Sequence, residues 1–481
     1  MKIERLLDIS KKQVLVFGDF MVDRYLYGNV NRISPEAPVP VISMEKEQLK
    51  LGGAGNVVNN LVSLGASVKV LGCIGNDKPG EFIIGAFSND KINTSYFKQY
   101  DELQTIQKTR IVSKKQQFMR IDQENIDELP FNYYKFIEEN IDEILSDVDS
   151  IVISDYAKGA VNTDFSQLII KNGNKKNIPI IVDPKGSDYY KYKNATLCTP
   201  NMKELQDVCQ KNINTEKEIE KYGVEITHKF NFKNLVITRS ENGISLIDGK
   251  EKKDFSAKAK EVIDVSGAGD TVVSTIALLL TLNLKMEEVC ILANLAASIV
   301  VSKFGTSTLS LDELVSTINQ NSNFKLLDIS TAKYVVNNLK QKDLKIVFTN
   351  GCFDLLHAGH LSSFKQAKKY GDILIVAVNS DDSVKKNKGD LRPIISEKDR
   401  IDMLCALEIV DFVILMNDNT PEKIISVIQP DVTVKGEDWK NKDVPEKKIV
   451  ESYGGKMEFI KLEKGMSTTN IIDKIIKVYE K

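Results

Sequence analysis

Short apolar segments that alternate with helical patterns are the feature that most limits the folds open to this chain. The predicted strands of the first series lie at 14–17, 67–75, 150–154, 178–183 and 234–239, and helical patterns lie at 55–64 and 133–145. The first strand runs into Gly18 and Asp19, a turn that we expect to lead into a helix. Such alternation is typical of an α/β domain with a largely parallel sheet.

The same alternation restarts after a polar segment at 319–324. Further strands are predicted at 345–351, 372–379, 411–416 and 431–436, and these suffice for a smaller doubly wound (Rossmann-like) domain. The predicted domain limits are 1–318 and 342–481, with a linker over 319–341. A helical stretch at 270–301 is expected to close the first domain. Within the linker we expect a short helix that Ser330 caps and that runs to Leu339.

Composition excludes several classes of function. Of 481 residues, 65 are Lys or Arg and 67 are Asp or Glu, so the chain lacks the positive excess of a general nucleic-acid binder. No apolar run reaches the roughly 18 to 20 residues of a membrane helix, and charges interrupt the N-terminal stretch where a signal peptide would be apolar. We therefore expect a cytoplasmic protein. Six scattered cysteines without a CxxC pair predict reduced thiols rather than disulfides or a thiol-bound metal.

Two glycine-rich segments stand far apart in the chain, LGGAGN at 51–56 and DVSGAGD at 264–270. In the second, Gly267, Ala268 and Gly269 lead into a helix expected to begin near Asp270. Backbone N–H groups and the positive end of that helix can hold phosphoryl oxygens. Asp270 would point into the same pocket and accept a proton from a substrate hydroxyl. The alternative is an N-cap aspartate after a tight turn.

Together the two segments resemble the paired signatures of the ribokinase-like sugar kinases, and the resemblance extends over residues 10–310. It implies a sugar site lined by Asp19, Gly52, Gly53 and Asn56. It implies a nucleotide site formed by Asn201, Met202, Lys203, Glu204, Gly267, Ala268 and Gly269. The Glu204 carboxylate would help to organise Mg²⁺ and the nucleotide phosphates, and its alternative is a solvated first-turn carboxylate.

A narrower resemblance, to D-glycero-β-D-manno-heptose 7-phosphate kinases, lies in GDFMVDRYLYGNVNRISPEAPVPV at 18–41. It implies that Asp19 and Asp23 accept protons from sugar hydroxyls. For the sugar's own phosphate, Arg110 and Arg120 alternate along what we predict to be one strand and would form a fork. A charged outer strand face is an equally good interpretation of these arginines. Further candidates are Lys158 and Lys185.

Two of the chain's three histidines stand in TNGCFDLLHAGH, as His357 and His360, between a predicted strand and a helix. The HxGH pattern resembles the hallmark of the cytidylyltransferase-like nucleotidyltransferases, and GMSTTNII at 465–472 resembles their second signature. The resemblance implies catalytic roles for both histidines at a phosphate-binding helix start. It implies nucleotide contacts from Gly351, Phe353, Gly359, Ser467, Thr468 and Thr469. For the last three, a simple N-cap is the alternative.

Charged residues between these motifs complete the predicted second site. We expect Arg392 and Lys435 on the triphosphate oxygens, with Asp354 and Asp381 as substrate or structural contacts. A solvated loop is the interpretation for Lys385, Lys386 and Lys388. A sugar phosphate acceptor needs no general base, because a phosphomonoester with a second pKa of about 6 is largely dianionic at pH 7.

The order of these motifs over nearly the whole chain resembles the bifunctional enzymes of ADP-heptose biosynthesis. The resemblance implies ATP-dependent phosphorylation of the anomeric hydroxyl of heptose 7-phosphate, and adenylyl transfer from ATP to heptose 1-phosphate, for lipopolysaccharide core synthesis. It also implies a homodimer and a separate phosphatase between the two steps. Another sugar with CTP as donor remains an alternative, because the motifs do not select adenine over cytosine. A non-enzymatic scaffold is disfavoured because Asp270 and both histidines are present.

Overall fold

The computed structural model describes residues 4–113, 116–124, 129–257, 262–303, 307–320, 325–341, 343–440, 442, 444–461 and 468–479. The chain divides into two compact units, Arg5–Leu314 and Val315–Lys481. The first unit contains two sheets and the second unit contains one, and each unit has its own hydrophobic core. The division falls within a helix that ends at Gln320. The limits at 318 and 342 and the linker between them remain predictions.

The strands of the first unit agree with the predicted alternation and add a second series. They are β1 (Gln13–Gly18), β2 (Phe20–Ile33), β3 (Pro40–Gly53), β4 (Ser67–Gly75), β5 (Ile92–Asn93), β6 (Phe97–Tyr100), β7 (Ile106–Ser113), β8 (Gln116–Gln123), β9 (Ser150–Ser154), β10 (Ile180–Asp183), β11 (Leu197–Cys198), β12 (Asn234–Thr238), β13 (Ile244–Ile247) and β14 (Lys252–Phe255). The helices are α1 (Glu4–Leu7), α2 (Ala54–Ser63), α3 (Lys78–Ala86), α4 (Phe131–Ile144), α5 (Thr163–Lys175), α6 (Met202–Cys209), α7 (Glu216–Phe230), α8 (Ala268–Leu280) and α9 (Met286–Val300). The strands predicted at 67–75 and 150–154 are confirmed as β4 and β9.

The main sheet of the first unit has the strand order β14-β13-β12-β11-β10-β9-β1-β4-β5, and β6 pairs with β4. Strands from β12 through β4 are parallel, whereas β13 and β14 are antiparallel additions. Strand β1 lies inside the sheet, with β9 on one side and β4 on the other, so the strand order reverses at β1. In such sheets ligands bind outside the carboxyl ends of the strands, where the strand order reverses. The stacked rings of Phe17, Phe165 and Tyr133 pack in the core, with centroids 5.0 and 5.7 Å apart.

A second, smaller sheet of the first unit has the order β3-β2-β7-β8. The prediction of a helix after Asp19 is wrong, because Phe20–Ile33 forms the 14-residue strand β2. This segment is rich in aromatic and β-branched residues, which favour strands, and both of its edges find partners in β3 and β7. The prediction of one strand through Arg110 and Arg120 is also wrong. Arg110 lies on β7 and Arg120 lies opposite it on the antiparallel strand β8.

Helix α8 begins within the second glycine-rich segment, and its residues from 270 to 279 are buried in the core. The single helical stretch expected at 270–301 is two helices, and the first begins at Ala268. Helix α2, which follows the first glycine-rich segment, holds α8 through buried hydrogen bonds. Thr271 Oγ1 donates to Asn60 Oδ1 at 3.1 Å, and Ser274 Oγ donates to the Val57 carbonyl at 3.3 Å. The two motifs are therefore joined in space.

The second unit is built from parallel strands and their connecting helices. Its strands are β15 (Leu326–Leu327), β16 (Ile346–Gly351), β17 (Ile373–Asn379), β18 (Phe412–Met416), β19 (Val432–Gly436) and β20 (Lys456–Ile460). After α10 (Leu311–Gln320), which contains the division, its helices are α11 (Ile329–Lys340), α12 (Ala358–Lys368), α13 (Asp381–Lys388), α14 (Glu397–Ala406), α15 (Glu422–Ile428), α16 (Lys447–Ser452) and α17 (Thr468–Tyr479). The four strands predicted in this half are confirmed as β16 to β19, and β15 and β20 are additional.

The sheet of the second unit has the order β15-β18-β17-β16-β19-β20, and every neighbouring pair is parallel. Strand β16 lies between β17 and β19, so the strand order reverses at its carboxyl end. The core beneath it includes Val347, Phe364, Leu374 and Val376. The predicted α/β architecture is confirmed in both halves of the chain.

Three smaller expectations can be compared with the structure. Helix α11 begins at Ile329, so Ser330 lies inside the helix and the prediction that it caps the helix is wrong. The prediction of a loop at Lys385, Lys386 and Lys388 is wrong, because these residues form the last turn of α13, although all three are exposed as expected. All six cysteines are free thiols, as expected. Every helix in the described ranges is too short or too polar to span a membrane.

Gly18→Ala should destabilise the first unit, because the new Cβ would lie 2.1 Å from the carbonyl oxygen of Ser154, its register partner on β9. Overpacking of this kind costs about 1 to 3 kcal/mol, which scanning calorimetry would detect as a lower Tm. Gly85→Ala is the matched control. A Cβ there meets nothing within 4 Å on helix α3, so it should be neutral or stabilising by about 1 kcal/mol at most. Equal Tm shifts for the two variants would contradict this account of β1 and β9.

Candidate active sites

A cavity of about 180 Å³ lies at the carboxyl ends of β9, β10, β11 and β12 in the first unit. The start of α8 forms one of its walls. The residues that line it and could bind a ligand or transfer a proton include Tyr156, Asp183, Lys185, Glu204, Gly269 and Asp270. Residues from several distant parts of the sequence therefore meet where the fold predicts a ligand.

Asp270 is the third residue of α8 and is 5% exposed. Its Oδ2 accepts a hydrogen bond from Asn56 Nδ2 at 2.6 Å, and its Oδ1 accepts one from the Tyr156 hydroxyl at 2.8 Å. Burial raises the pKa of Asp270 to about 6, although these two hydrogen bonds favour its charged form and oppose the shift. The carboxylate does not cap its helix, since Gly267 is the N-cap residue. The N-cap alternative for Asp270 is therefore wrong.

The glycine-rich turn before Asp270 leaves room for an anion. Gly267 has a φ of 79°, in the left-handed region that glycine adopts without strain. A Cβ on Gly269 would meet nothing within 4 Å, and this residue lines the cavity. First-turn amides have no acceptors within their own helix, and the Ala268 amide makes only a long hydrogen bond, 3.3 Å, to the Val265 carbonyl oxygen. The start of α8 can therefore offer N–H groups to a phosphoryl group.

Asn201 and Glu204 form a capping box at the start of α6. Asn201 Oδ1 accepts from the Glu204 amide, and Glu204 Oε2 accepts from the Asn201 amide, both at 2.9 Å. Glu204 Oε1 accepts from Lys185 Nζ at 2.8 Å. Glu204 is thus buried and fully engaged, unlike the solvated carboxylate of the alternative. Met202 and Lys203 occupy the first turn of α6 but do not line the cavity.

The charges of this cavity suit a divalent cation. Burial, together with the charges of Asp270 and Glu204, raises the pKa of Asp183 well above its usual value. Lys185 faces this group of carboxylates as a single ammonium. Mg²⁺ prefers oxygen ligands and keeps several waters, so it would relieve the negative excess. Among the described residues, no three or more His, Cys, Asp or Glu side chains are grouped to hold a metal directly.

The first glycine pair brings the end of β3 against Asp23 on β2 and against Asp19, the residue between β1 and β2. A Cβ on Gly52 would lie 2.9 Å from Asp23 Oδ2, and a Cβ on Gly53 would lie 2.4 Å from the Asp19 carbonyl oxygen. Gly53 also has a φ of 57° as the N-cap residue of α2. A side chain at either position would collide with these atoms, so both positions require glycine. The close contact places Asn56, in the first turn of α2, within hydrogen-bond distance of Asp270.

Asp19 is buried and anchors a loop. Its carboxylate accepts hydrogen bonds from three backbone amides, those of Tyr156 at 2.7 Å, Lys158 at 3.1 Å and Ala160 at 3.1 Å. Burial, then the charge of Asp155, raises the pKa of Asp19 to about 6. A contact between Asp19 and the sugar stays a prediction, and the structure gives this carboxylate a second task.

The predicted phosphate fork is split between two paired strands. Arg110 Nη1 donates to Asp23 Oδ1 at 2.5 Å, and the Arg110 guanidinium lies 5.2 Å from the centre of the Tyr25 ring. Arg120 pairs with Asp122 at 2.9 Å, and about half of its side chain is exposed. Directly opposed residues of antiparallel strands share one face, so the two arginines lie on the same side of the small sheet. Their role stays a prediction.

Two residues near this face were missed by the sequence analysis. Tyr156 follows β9 and donates to Asp270, but its partners lie more than a hundred positions away, so no local pattern marks it. Lys108 lies 5.6 Å from the centre of the Tyr156 ring, and burial lowers its pKa. Lys108 and Arg110 alternate on β7 and therefore share a face, which is a signal that could have identified Lys108.

The second site lies at the carboxyl end of β16, where the strand order of the second unit reverses. His357 is the N-cap residue of α12, and its ring stacks on that of His360 with centroids 3.9 Å apart. Both ring nitrogens of His357 and Nδ1 of His360 are buried without a hydrogen-bond partner among the described residues. Buried polar atoms are normally satisfied, so these nitrogens suit a ligand such as a phosphate.

The surroundings keep both imidazoles neutral. Burial lowers the pKa of His357, and burial with the charges of His357 and Lys388 lowers that of His360 to about 4. Phe353 packs edge-on against His360 at 5.3 Å. A Cβ on Gly351 would lie 2.9 Å from the Phe353 ring, so glycine is needed where β16 ends. Gly359 is buried in the first turn of α12.

The two basic residues predicted for the triphosphate have protein partners. Arg392 Nε donates to Asp354 Oδ2 at 2.5 Å, a contact that leaves its terminal nitrogens for another acceptor. Lys435 pairs with buried Glu446 and lies 4.5 Å from the centre of the Trp439 ring. The triphosphate contacts of both residues stay predictions. To bind a phosphate, Lys435 would have to leave the Glu446 carboxylate.

Arg400 was missed, although it is fully buried and connects the ends of β16 and β17 to the segment before α14. It donates to the carbonyls of Cys352, Asn379 and Ile395 at 2.6, 2.7 and 3.1 Å, and to Asp381 Oδ1 at 2.7 Å. Asp381 is therefore a structural partner. Three of these four acceptors lie 19 to 48 positions away in the sequence, so no local pattern marks Arg400.

The second signature is only partly described. Ser467 lies outside the described residues. Thr468 and Thr469 begin α17, as a helix start requires, but their side chains are outside the description as well. Their predicted contacts with the nucleotide therefore have no structural account.

Comparisons with known proteins separate the two halves in the same way. Residues 11–314 match the pfkB family carbohydrate kinases, and residues 348–474 match the cytidylyltransferase-like family. Over 481 residues the chain is 41% identical to the bifunctional protein HldE of Geotalea uraniireducens (strain Rf4), with 98% of both chains covered. It is 42% identical over 473 residues to that of Haemophilus influenzae (strain PittEE), covering 97% of this chain and 98% of the relative.

Solved structures resemble the first unit in fold. Arabidopsis thaliana ribokinase complexed with ribose and ATP is 20% identical, with a TM-score of 0.52, over 63% of this chain and 97% of that one. Phosphofructokinase-2 from Escherichia coli in complex with potassium is also 20% identical, with a TM-score of 0.53, over 63% and 96% of the two chains. The predicted ribokinase-like fold is thereby confirmed.

His360 should stay neutral in the folded protein until the pH approaches 4. Since an unfolded histidine has a pKa of about 6.5, unfolding takes up a proton below that value, and the stability of the second unit should fall between pH 6.5 and 4. Only three histidines are present, so NMR titration of histidine-labelled protein can resolve the His360 signal from the other two. An ordinary titration of His360 near pH 6.5 would contradict its burial.

Proposed function

The chain belongs to the family of bifunctional HldE proteins, and on that premise we propose how its two units use ATP for two different transfers. The first unit is a kinase that phosphorylates the anomeric hydroxyl of D-glycero-β-D-manno-heptose 7-phosphate. The second unit is an adenylyltransferase that joins AMP from ATP to heptose 1-phosphate and releases pyrophosphate. ADP-heptose, the product, supplies heptose for the lipopolysaccharide core.

The buried Asp270 carboxylate at a phosphate-binding helix start is the observation that carries the kinase assignment. A neutral sugar hydroxyl is a weak nucleophile, so the transfer needs a base beside the phosphoryl group. With a pKa of about 6, Asp270 is ionised at pH 7 yet more basic than an ordinary aspartate. Asn56 and Tyr156 bind one oxygen each and fix the direction of the carboxylate.

The amides of Gly267, Ala268 and Gly269 are the groups that we propose for the oxygens of the transferring phosphoryl group. Their fixed N–H dipoles would stabilise the charge spread over those oxygens without rearranging during the reaction. Asn201 and Glu204 complete the nucleotide side at the start of α6. Bound Mg²⁺ would neutralise phosphate charge, and Glu204 would act on it indirectly.

The sugar end of the kinase site is proposed to lie beneath the small sheet. Asp23 would accept hydrogen bonds from sugar hydroxyls, and Asn56 would donate to them. Gly52 and Gly53, which have no side chains, would leave room for the sugar. For the 7-phosphate we propose Arg110, with Arg120 and Lys108 on the same face of the sheet. Arg110 already bridges to Asp23, so one side chain would connect the sugar with its phosphate.

The adenylyl transfer needs no catalytic carboxylate. Heptose 1-phosphate is already an anion, so the task of the second site is to bring two anions together and to stabilise the departing pyrophosphate. Nitrogens of His357 and His360 have no hydrogen-bond partner among the residues that the structure describes, and this supports the assignment, because neutral imidazoles accept and donate at the start of α12. Arg392 would bind phosphate oxygens beside them.

A homodimer through the small sheet is a further part of the proposal. The face of this sheet opposite the arginines carries Leu26, Ile111 and Met119 in one register row, and Met119, Ile121 and Met44 are exposed. Glu47, the register partner of Leu26, and Arg24 lie on the same face as an ion pair, so the face is mixed, and its exposed apolar side chains are what favours association. We also propose that the enzyme is cytoplasmic and that a separate phosphatase removes the 7-phosphate between the two reactions.

Asp270→Asn tests the kinase assignment, because it removes the base and preserves the shape. Kinase turnover, followed by ³¹P NMR with heptose 7-phosphate and Mg·ATP, should fall by at least about a hundredfold. Adenylyl transfer should be unchanged. Asp248→Asn, an exposed site of the same unit, is the control and should retain full activity. Kinase turnover within about threefold of the parent in Asp270→Asn would exclude Asp270 as the base.

His360→Ala tests the transferase assignment. Formation of ADP-heptose from heptose 1-phosphate and ATP should fall by at least about a hundredfold, while kinase turnover should stay at the parent value. His228→Ala, on the exposed side of α7, is the matched control and should affect neither reaction. If His360→Ala lost both activities with an unchanged circular dichroism spectrum, the two-site assignment would be wrong.

A further inference from the structure

Tyr156 connects two buried carboxylates in the first unit. Its backbone N–H donates to Asp19 Oδ2 at 2.7 Å, and its side-chain hydroxyl donates to Asp270 Oδ1 at 2.8 Å. One residue therefore contacts the carboxylate that anchors the loop after β9 and the carboxylate that is the proposed base. No other contact of the described structure makes this connection so directly: Asn56 reaches Asp270 from α2 but does not reach Asp19.

The hydroxyl of Tyr156 is a dependable donor. Burial and the neighbouring charges of Asp270 and Asp183 raise its pKa well above the ordinary value, so the phenol keeps its proton wherever the enzyme works. A neutral hydroxyl that points at a carboxylate stabilises the ionised form of that carboxylate. Removing the hydroxyl should therefore make Asp270 easier to protonate.

Charged groups face Asp270 from several elements. Asp23 on β2 opposes its ionisation, and the charge of Asp270 in turn raises the pKa of Asp183 on β10. Lys108 on β7 lies over the ring of Tyr156. The hydrogen bonds that favour the ionised form come from Asn56 and Tyr156. The phenol is thus one of two groups whose direct contact keeps this base charged.

The loop that carries Tyr156 is held in an unfavourable conformation. Ala157 has a φ of 55°, which L residues with side chains rarely adopt, and its amide donates to Asp155 Oδ1 at 2.6 Å. Asp19 binds the amides on either side, those of Tyr156 and Lys158. Such local strain persists when surrounding contacts over-determine it, and here those contacts fix the direction of the Tyr156 side chain.

We propose that Tyr156 is a positioning residue of the kinase, whose hydroxyl keeps the Asp270 carboxylate ionised and oriented while Asp19 holds Tyr156 in place. The inference rests on the proposed role of Asp270 as the base. It also gives Asp19 a structural role: Asp19 positions Asp270 by holding the loop after β9, and this role needs no contact between Asp19 and the sugar.

The test is the pH dependence of kinase kcat/KM in the full-length chain. The base must be ionised, so activity falls as the pH drops through the pKa of Asp270. Tyr156→Phe removes one donor to the ionised form, and the acid limb should move upward by about one pH unit. The variant should then be about tenfold slower than the parent near pH 5.5 and within about threefold near pH 9.

Tyr190→Phe is the matched control, because Tyr190 lies in the same unit with an exposed ring. Its profile should superimpose on that of the parent. Adenylyl transfer by the same chains normalises for the amount of full-length chain, since that activity belongs to the other unit. A merely structural role for Tyr156 would lower kcat/KM by the same factor at every pH.

A second substitution moves the profile in the opposite direction. Incorporating 3-fluorotyrosine at position 156 keeps the ring and the hydroxyl but makes the hydroxyl more acidic and hence a stronger donor. The acid limb should then move to lower pH. This variant also keeps the inference testable if Tyr156→Phe does not fold.

The outcomes separate the two claims. If Asp270→Asn keeps its kinase turnover, the proposed function of Asp270 fails, and the inference fails with it. If Asp270→Asn is inactive but the acid limbs of Tyr156→Phe and the fluorotyrosine chain coincide with that of the parent, only the positioning role is overturned. Opposite shifts of the two limbs support it.

Discussion

Parallel strands place their carboxyl ends at one edge of a sheet, and both units depend on this constraint. In the first unit Gly18 ends β1 so close to Ser154 of β9 that no side chain fits between them. That close approach sets Asp19 against the loop after β9. In the second unit the order reverses at β16, whose end carries the two histidines into α12. The sites follow from topology, and the chemistry follows from the residues placed there.

The two sites solve the problem of holding anions in different ways. The kinase site keeps its own carboxylates buried, which raises the pKa of Asp270 and makes it an effective base. It can do so because Asn56 and Tyr156 satisfy both oxygens. The transferase site instead leaves imidazole nitrogens of His357 and His360 without partners in the part of the chain that the structure describes. A base suits a neutral hydroxyl acceptor, whereas unpartnered donors suit an acceptor that is already charged.

Local sequence patterns predicted those elements and motifs whose residues are neighbours in the sequence. His357 and His360 are one turn apart, and local patterns suffice to predict the strand and the helix around them. Tyr156 and Arg400 could not be predicted, because their partners are brought together only by folding. Asn56 and Asp270 are 214 positions apart. The strand β2 was misread as a helix because its partners β3 and β7, which make it a strand, are not visible in its own residues.

The central claim is that the two reactions belong to separate sites with separate machinery. It is tested by mixing equal amounts of the full-length Asp270→Asn and His360→Ala chains with heptose 7-phosphate, Mg·ATP and the phosphatase. Each chain has one intact site, so the mixture should form ADP-heptose at about half the rate of the same total amount of parent chain. If the mixture forms no ADP-heptose while each variant keeps its own remaining activity, the two sites must cooperate within one chain, and the claim is contradicted.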